Sequence, residues 1–222
     1  MRKKIRHYAR CVIHLKEFRT YCKFRRFTMI PCASYMRNLR IARKAFSIEG
    51  AIVECGTWKG GMIAGIAEIY GNRRDYYLFD SFEGLPDADP IDGIAALEWQ
   101  STPTNPFYHD NCRASEHEAA EAMALAGVEI PHIVKGWFEK TLPNVEIQGG
   151  IALLRLDGDW YESTMQILNN LFFKVNSGGL LIIDDYYAWD GCSRAVHDFL
   201  SQNKRTERIE TAGGVCFIRK RE

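Results

Sequence analysis

The sequence predicts a doubly wound, mostly parallel α/β sheet that ends in a C-terminal antiparallel hairpin and is preceded by N-terminal helices. Three observations carry this expectation. Apolar runs of strand length at 51–55, 75–80, 132–136, 151–157 and 179–185 are each bounded by Gly, Asp or Pro, and helical stretches lie between them. Such alternation implies crossover units feeding one parallel sheet. Finally, residues 206–210 and 215–219 flank Gly213-Gly214 and read as the hairpin.

Each element has a local reason. Within residues 2–27, Ile5, Tyr8, Val12, Leu15 and Phe18 recur at three- and four-residue steps among Arg and Lys, the pattern of a basic amphipathic helix. Pro31 breaks that pattern, and Tyr35 to Phe46 reads as a second helix leading to the turn at Glu49-Gly50. Residues 1–46 are therefore expected as a helical cap and 47–222 as the main domain. Ser115 to Gly127 is the clearest helix, with a capping box at Ser115 and Glu118 and a glycine stop. Residues 86–112 carry Pro86, Pro90, Pro103 and Pro106 and read as a long irregular connection, placed where a lid would be.

Composition bounds the function. At 222 residues and 46% hydrophobic, the chain can bury one sizeable core. Residues 1–44 hold fourteen Lys/Arg against the single acid Glu17, although the whole chain is only +1. This basic arm either packs on its own domain or on a twin subunit in a homodimer, or is drawn to an anionic surface. Seven cysteines without a Cys-x-x-Cys pair argue for reduced thiols over disulfides or zinc. No run approaches the roughly 20 apolar residues of a membrane span, and no secretory signal is evident. A cytoplasmic protein is expected, with peripheral membrane association left open by the arm and no nucleic-acid partner.

The chemistry concentrates at strand ends. Leu154-Arg155-Leu156-Asp157-Gly158-Asp159 and Leu180-Leu181-Ile182-Ile183-Asp184-Asp185 put four carboxylates where two apolar strands run out. Parallel strands present these ends to the ligand crevice, and clustered acids repel unless a hard cation such as Mg2+ joins them. The plainer alternative is solvated acids on two unrelated loops. The first strand runs into Glu54-Cys55-Gly56-Thr57-Trp58-Lys59-Gly60-Gly61, a glycine-rich turn into a helix. Asp80 ends the second strand 24 residues past Gly56, near the spacing at which an acid meets ribose hydroxyls. Together they indicate a nucleoside cofactor, against a tight turn and a capping Asp.

These segments, with Phe79 to Pro86, Lys135-Gly136-Trp137-Phe138, Leu154 to Thr164 and Ile182 to Tyr186, resemble the macrocin O-methyltransferase (TylF/MycF-type) family from about Thr28 to Phe217. The resemblance implies the class I fold that binds S-adenosyl-L-methionine (SAM) and Mg2+-dependent methylation of a sugar hydroxyl. By the same resemblance Glu54, Gly56, Thr57 and Gly60 belong to the SAM loop, Asp80 and Ser81 to the ribose end, and Gly136 and Trp137 to the adenine side. Asp157, Asp184 and Asp185 become metal ligands and Asp159 the general base. The chain departs from the family pattern at Tyr187-Ala188, where Gly-His is common before Trp189, and at Lys140, where an acid is usual.

Direct proton transfer from an alcohol to Asp is uphill by roughly 12 units, or about 16 kcal/mol, so the base needs help from a nearby cation. Two adjacent hydroxyls could chelate that ion, which makes a vicinal diol on a glycosylated small molecule or glycan the expected acceptor. Two other functions compete: a metal-dependent hydrolase with an acidic cleft, and a non-catalytic SAM-bound adaptor targeted by its basic arm. His132 and His197 read as packing or surface residues, and Cys55 as a small residue beside the loop.

Overall fold

The computed structural model describes residues 15–222. Its core is a seven-stranded sheet in the order β3-β2-β1-β4-β5-β7-β6. The strands are β1 Ala51–Cys55, β2 Tyr76–Asp80, β3 His132–Lys135, β4 Ile151–Leu156, β5 Val175–Ile183, β6 Ile209–Ala212 and β7 Val215–Arg219. β1 to β5 pair in parallel, and β7 runs antiparallel to both β5 and β6. Strand order reverses between β1 and β4, the point at which open α/β sheets bind ligands.

Helices cover both faces. On one side α2 (Cys32–Ala42), α3 (Gly61–Tyr70) and α6 (Glu116–Leu125) pack on β1, β2 and β5. The other side is closed by α8 (Tyr161–Leu171) and α9 (Asp190–Gln202). Ser115 caps α6: its hydroxyl accepts from the Glu118 N–H at 3.2 Å, while the Glu118 carboxylate accepts from the Ser115 N–H at 3.1 Å. That is the capping box read from sequence.

The N-terminal helices are tied into this core. In the helix over residues 15–24 (α1), Glu17 is buried and its Oε2 accepts from Arg40 Nε at 2.6 Å. Phe24, Tyr35 and Leu39 are buried with the sheet, and the Tyr35 hydroxyl donates to the Gly61 carbonyl at 2.7 Å. Leu15 and Phe18 face outward, exposed, whereas Ile5, Tyr8 and Val12 lie outside the described residues.

Four sequence expectations need correction. The second helix starts at Cys32, because Pro31 opens it instead of delaying it, and its last turn from Arg43 tightens to a 3-10 helix. The fifth strand begins four residues early, at Val175, and Asp184 and Asp185 stand beyond its end. The third strand is a half-exposed sheet edge, with His132 stacked on Tyr77 at 4.3 Å. The sixth starts at Ile209, since Glu207 turns inward to accept from Arg205 at 2.5 Å and so takes 206–208 out of the ladder.

The connection after β2 is also more ordered than expected. Asp89 accepts from the Ile91 N–H at 3.3 Å and Asp92 from the Asp89 N–H at 2.9 Å, so Pro90 starts a helical turn. Gly93 then redirects the chain into α4 (Ile94–Gln100). The single turn His109–Cys112 (α5) has φ of 47, 54, 54 and 60° at its four non-glycine residues, a left-handed coil that L-residues rarely adopt.

Candidate active site

The C-terminal ends of β1 to β5 open into one cavity of about 980 Å3. Its lining includes Glu54, Gly56, Thr57, Asp80, Ser81, Gly136, Trp137, Asp157, Asp159, Asp184 and Asp185. Gly60 is the exception among the sequence-predicted residues. It has φ +77° and caps α3, and a Cβ there would lie 3.1 Å from Ala119 Cα, so it serves the packing of α3 on α6. Gly56 has the strictest requirement: a Cβ would sit 1.6 Å from the Asp157 carbonyl oxygen, at φ +83°. Only glycine lets the end of β1 lie against the end of β4.

At the β1–β3 side, backbone donors have already engaged the polar groups. Asp80 Oδ2 accepts from the Trp58 N–H and Oδ1 from the Phe82 N–H, both at 2.7 Å. Burial raises the Asp80 pKa, and these N–H groups pull it back. Ser81 donates to the Gly84 carbonyl at 2.9 Å and accepts from the Glu83 N–H at 3.0 Å, fixing the loop after β2. Gly136 continues the ladder by donating to the Asp80 carbonyl at 2.9 Å. Trp137 follows it at the start of the short helix α7 (Phe138–Thr141).

At the β4–β5 side, charge dominates. One oxygen from each of Asp157, Asp184 and Asp185 falls within 4.8 Å of the others. The Asp159 N–H donates to Asp185 Oδ2 at 3.2 Å, and Asp159 Oδ1 accepts from Trp189 Nε1 at 2.9 Å. Asp159 is left-handed, φ 56°, directly after Gly158, which turns its side chain away from the strand direction. Burial first, then the charge of Asp157, pushes the Asp159 pKa up to about 8, against the pull of the Trp189 hydrogen bond. Burial and then Asp159 and Asp157 raise Asp185 as well, and burial opposed by Arg155 lifts Asp157 to about 6. Carboxylates that raise one another in this way lack positive charge. An all-oxygen, hard donor set is the chemistry that suits Mg2+, so the residues fit a divalent ion.

Sequence reasoning missed the cation already present. Arg155, 1% exposed and next to last in β4, donates from one nitrogen to Glu54 Oε1 at 2.9 Å and Asp157 Oδ2 at 2.6 Å, and its other terminal nitrogen pairs with Asp184 Oδ1 at 2.6 Å. The available signal was an arginine inside an otherwise apolar strand run. Three further contributors were also unassigned. Trp189 orients Asp159; Asp92 accepts from the Tyr161 N–H at 2.6 Å and fastens the lid to α8; Phe27, Thr28, Met29 and Ile30 bring the N-terminal segment to the cavity wall. Over the acids, Trp99 of the lid meets Trp160 and Trp189 edge to face at 6.2 and 6.0 Å. Trp160 Nε1 donates to the Pro86 carbonyl at 2.9 Å. His197 bonds the Tyr186 hydroxyl at 2.8 Å, a packing role like that of His132.

Comparison with known proteins gives a consistent picture. A sequence profile described as macrocin-O-methyltransferase (TylF) matches residues 25–220. Over 185 residues the chain is 34% identical to the 8-demethyl-8-(2,3-dimethoxy-alpha-L-rhamnosyl)-tetracenomycin-C 4'-O-methyltransferase of Streptomyces olivaceus, covering 77% of this chain and 65% of that protein. It is 35% identical over 159 residues to demethyldecarbamoylnovobiocin O-methyltransferase of Streptomyces niveus, covering 69% and 59%. The chain thus spans 65% and 59% of the lengths of these two relatives. Among solved structures, the O-methyltransferase NovP superposes with a TM-score of 0.74 at 27% identity, over 88% of this chain and 83% of that one. A calicheamicin methyltransferase shares the fold, with a TM-score of 0.65 at 20% identity, over 87% and 80%.

Proposed function

The chain belongs to the macrocin-O-methyltransferase (TylF) family, and from that premise we propose that it transfers a methyl group from SAM to a sugar hydroxyl of a glycosylated small molecule, with Mg2+ held by Asp157, Asp184 and Asp185. One observation carries the reading: the nucleoside-type features and the carboxylate cluster share a single cavity across the β1/β4 switch point. On this reading Trp137 would hold the adenine, Asp80 the ribose and Glu54 the amino-acid tail, with the acid cluster on the acceptor side.

Asp159 is the general base. Trp189 donates to its Oδ1, which leaves Oδ2 for the acceptor proton. As the oxygen–methyl bond forms, the sulfur–methyl bond breaks, S-adenosylhomocysteine (SAH) leaves with a neutral sulfur, and the proton ends on Asp159. A bound divalent ion supplies the positive charge that makes an acceptor hydroxyl easier to deprotonate. Trp160, which lines the cavity with Trp99 and Trp189 packed against it, offers an apolar ring to a sugar, and two neighbouring hydroxyls suit the aspartate cluster, so a vicinal diol is the proposed acceptor. Lys140, which lines the same cavity from α7 just after Trp137, puts a cation where relatives are expected to place an acid.

Incubation with methyl-labelled SAM, Mg2+ and a panel of glycosides bearing vicinal diols tests this. Mg2+-dependent label on a sugar oxygen is expected; label that appears equally in EDTA removes the metal from the reading. A hydrolase would gain nothing from a nucleoside pocket, so thermal stabilisation by SAM separates the two.

A further inference from the structure

Arg155 is the least expected residue of the site. β4 is buried along its whole length, and nothing in strand packing calls for a charge there. Its contacts divide between two functional ends. One terminal nitrogen is shared by Glu54 Oε1 at 2.9 Å and Asp157 Oδ2 at 2.6 Å, and the other reaches Asp184 Oδ1 at 2.6 Å. Strand order arranges the rest: Trp137 after β3, Asp80 ending β2, Glu54 in β1, Asp157 after β4 and Asp184 after β5. Glu54 is therefore the acid nearest both the amino-acid tail of the cofactor and the cation site. Its Oε2 is buried and has no hydrogen-bond partner among the described residues, although Glu54 lines the cavity. A buried lone carboxylate oxygen at a cavity wall calls for a donor, and an ammonium group is the fitting chemistry.

We propose that Arg155 couples the two sites, so that filling the cation site tightens the grip on the amino-acid end of the cofactor, and the reverse. The inference rests on the function proposed above. Its physical basis is competition for one donor. A divalent ion that takes up the charge of Asp157 and Asp184 leaves the guanidinium to Glu54, whose side chain is then fixed before the ammonium arrives. Ordering already completed by one ligand need not be repeated for the next. Linkage makes the effect reciprocal and of equal size in both directions. Arg155 is a positioning residue, acting through Glu54 and the aspartates.

The test is calorimetric titration of the full chain with SAH, which lacks the sulfonium charge that would repel the ion, with and without saturating Mg2+. Wild type is expected to bind SAH at least about fivefold more tightly with Mg2+, and Mg2+ more tightly by the same factor with SAH. 5′-Methylthioadenosine, which has no amino-acid tail, is expected to bind equally well in both conditions. R155K keeps the charge but loses the fork, so both ligands should bind with a coupling factor near one. Should R155K fail to fold, E54Q carries the same expectation. The coupling idea is overturned if wild type binds both ligands independently, if R155K or E54Q retains the wild-type factor, or if methylthioadenosine responds as SAH does. A wild-type chain that binds SAH but no Mg2+ at all would instead bring down the metal reading, and the coupling with it.

Discussion

The two sides of the cavity floor are built on opposite principles. At the ends of β1 to β3, the acid Asp80 spends both oxygens on the Trp58 and Phe82 N–H groups, and Ser81 bonds within its own loop. At the ends of β4 and β5, Asp157 and Asp184 share the guanidinium of Arg155 with Glu54, and the buried Asp159 and Asp185 stand beside them. The first side is finished before a ligand arrives. The second gathers more carboxylates than one guanidinium offsets. On the proposed function the first side would bind and the second react, and the seam between them is the contact of Gly56 with Asp157.

Breaking the seam should have the largest effect. Gly56→Ala places a methyl group 1.6 Å from a carbonyl oxygen that cannot move without shifting β4. Loss of about 4 kcal/mol or more of stability is expected in chemical denaturation, or no folded protein at all; a variant as stable as wild type would show that the two strand ends are not locked together. On the reactive side, Asp159→Asn should lower turnover by about 10² to 10⁴-fold while SAH and Mg2+ affinities stay close to wild type. Turnover near normal would take the general base away from Asp159. Asp185→Ala removes one of the three clustered carboxylates, so the thermal stabilisation that Mg2+ gives wild type should vanish along with activity.

The charge shortage also has a pH signature. Glu54 and Asp159 are raised to about 8 and Asp157 to about 6, each mainly by burial and each above its unfolded value. Raised carboxylates add stability that is fully present below pH 4 and lost as pH climbs through their folded values. Without metal, the contribution of this cluster should therefore fall between about pH 4 and pH 8, and Mg2+ should raise the melting temperature more at pH 8 than at pH 5.5. Equal shifts at both values would mean the ion does not bind these groups. Asp80 contributes a similar trend only weakly, because backbone donors offset its burial.

Smaller effects are expected at the lid. Trp99→Ala removes the rings' edge contacts with Trp160 and Trp189 but leaves the Asp159 hydrogen bond intact. The acceptor KM should rise by roughly tenfold, about 1.4 kcal/mol, with SAH affinity unchanged. A fall in kcat at constant KM would instead assign Trp99 to the chemical step.

The same contrast explains what the sequence made legible. The side proposed for the cofactor is local: Gly56 and Asp80 sit at the ends of apolar runs, and their spacing follows from one strand-helix-strand unit. The acid cluster was readable for the same reason, since Asp157 and Asp184 directly follow β4 and β5. Arg155 was not, because its meaning comes from Glu54, 101 residues away, and from the neighbouring strand end. Trp189 was likewise unreadable as the partner of Asp159, 30 residues earlier. In the lid, four prolines suggested irregular chain, yet Pro90 begins a capped turn and α4 follows it, an outcome decided by the Asp89–Asp92 exchange. Residues 1–46 read as a helical cap, and what their charge pattern did not reveal is that Phe24 and Tyr35 are buried in the same core as the sheet.

On the proposed function Asp157, Asp184 and Asp185 hold a divalent ion beside the methyl group of bound SAM. Mn2+ prefers the same oxygen ligands as Mg2+ and broadens nearby nuclei, so carbon NMR of the chain with methyl-13C SAM and Mn2+ reads the distance directly. Strong broadening of the bound methyl signal, reversed by excess Mg2+ and absent in Asp185→Ala, is the predicted result. A sharp methyl signal in wild type with Mn2+ bound would contradict it.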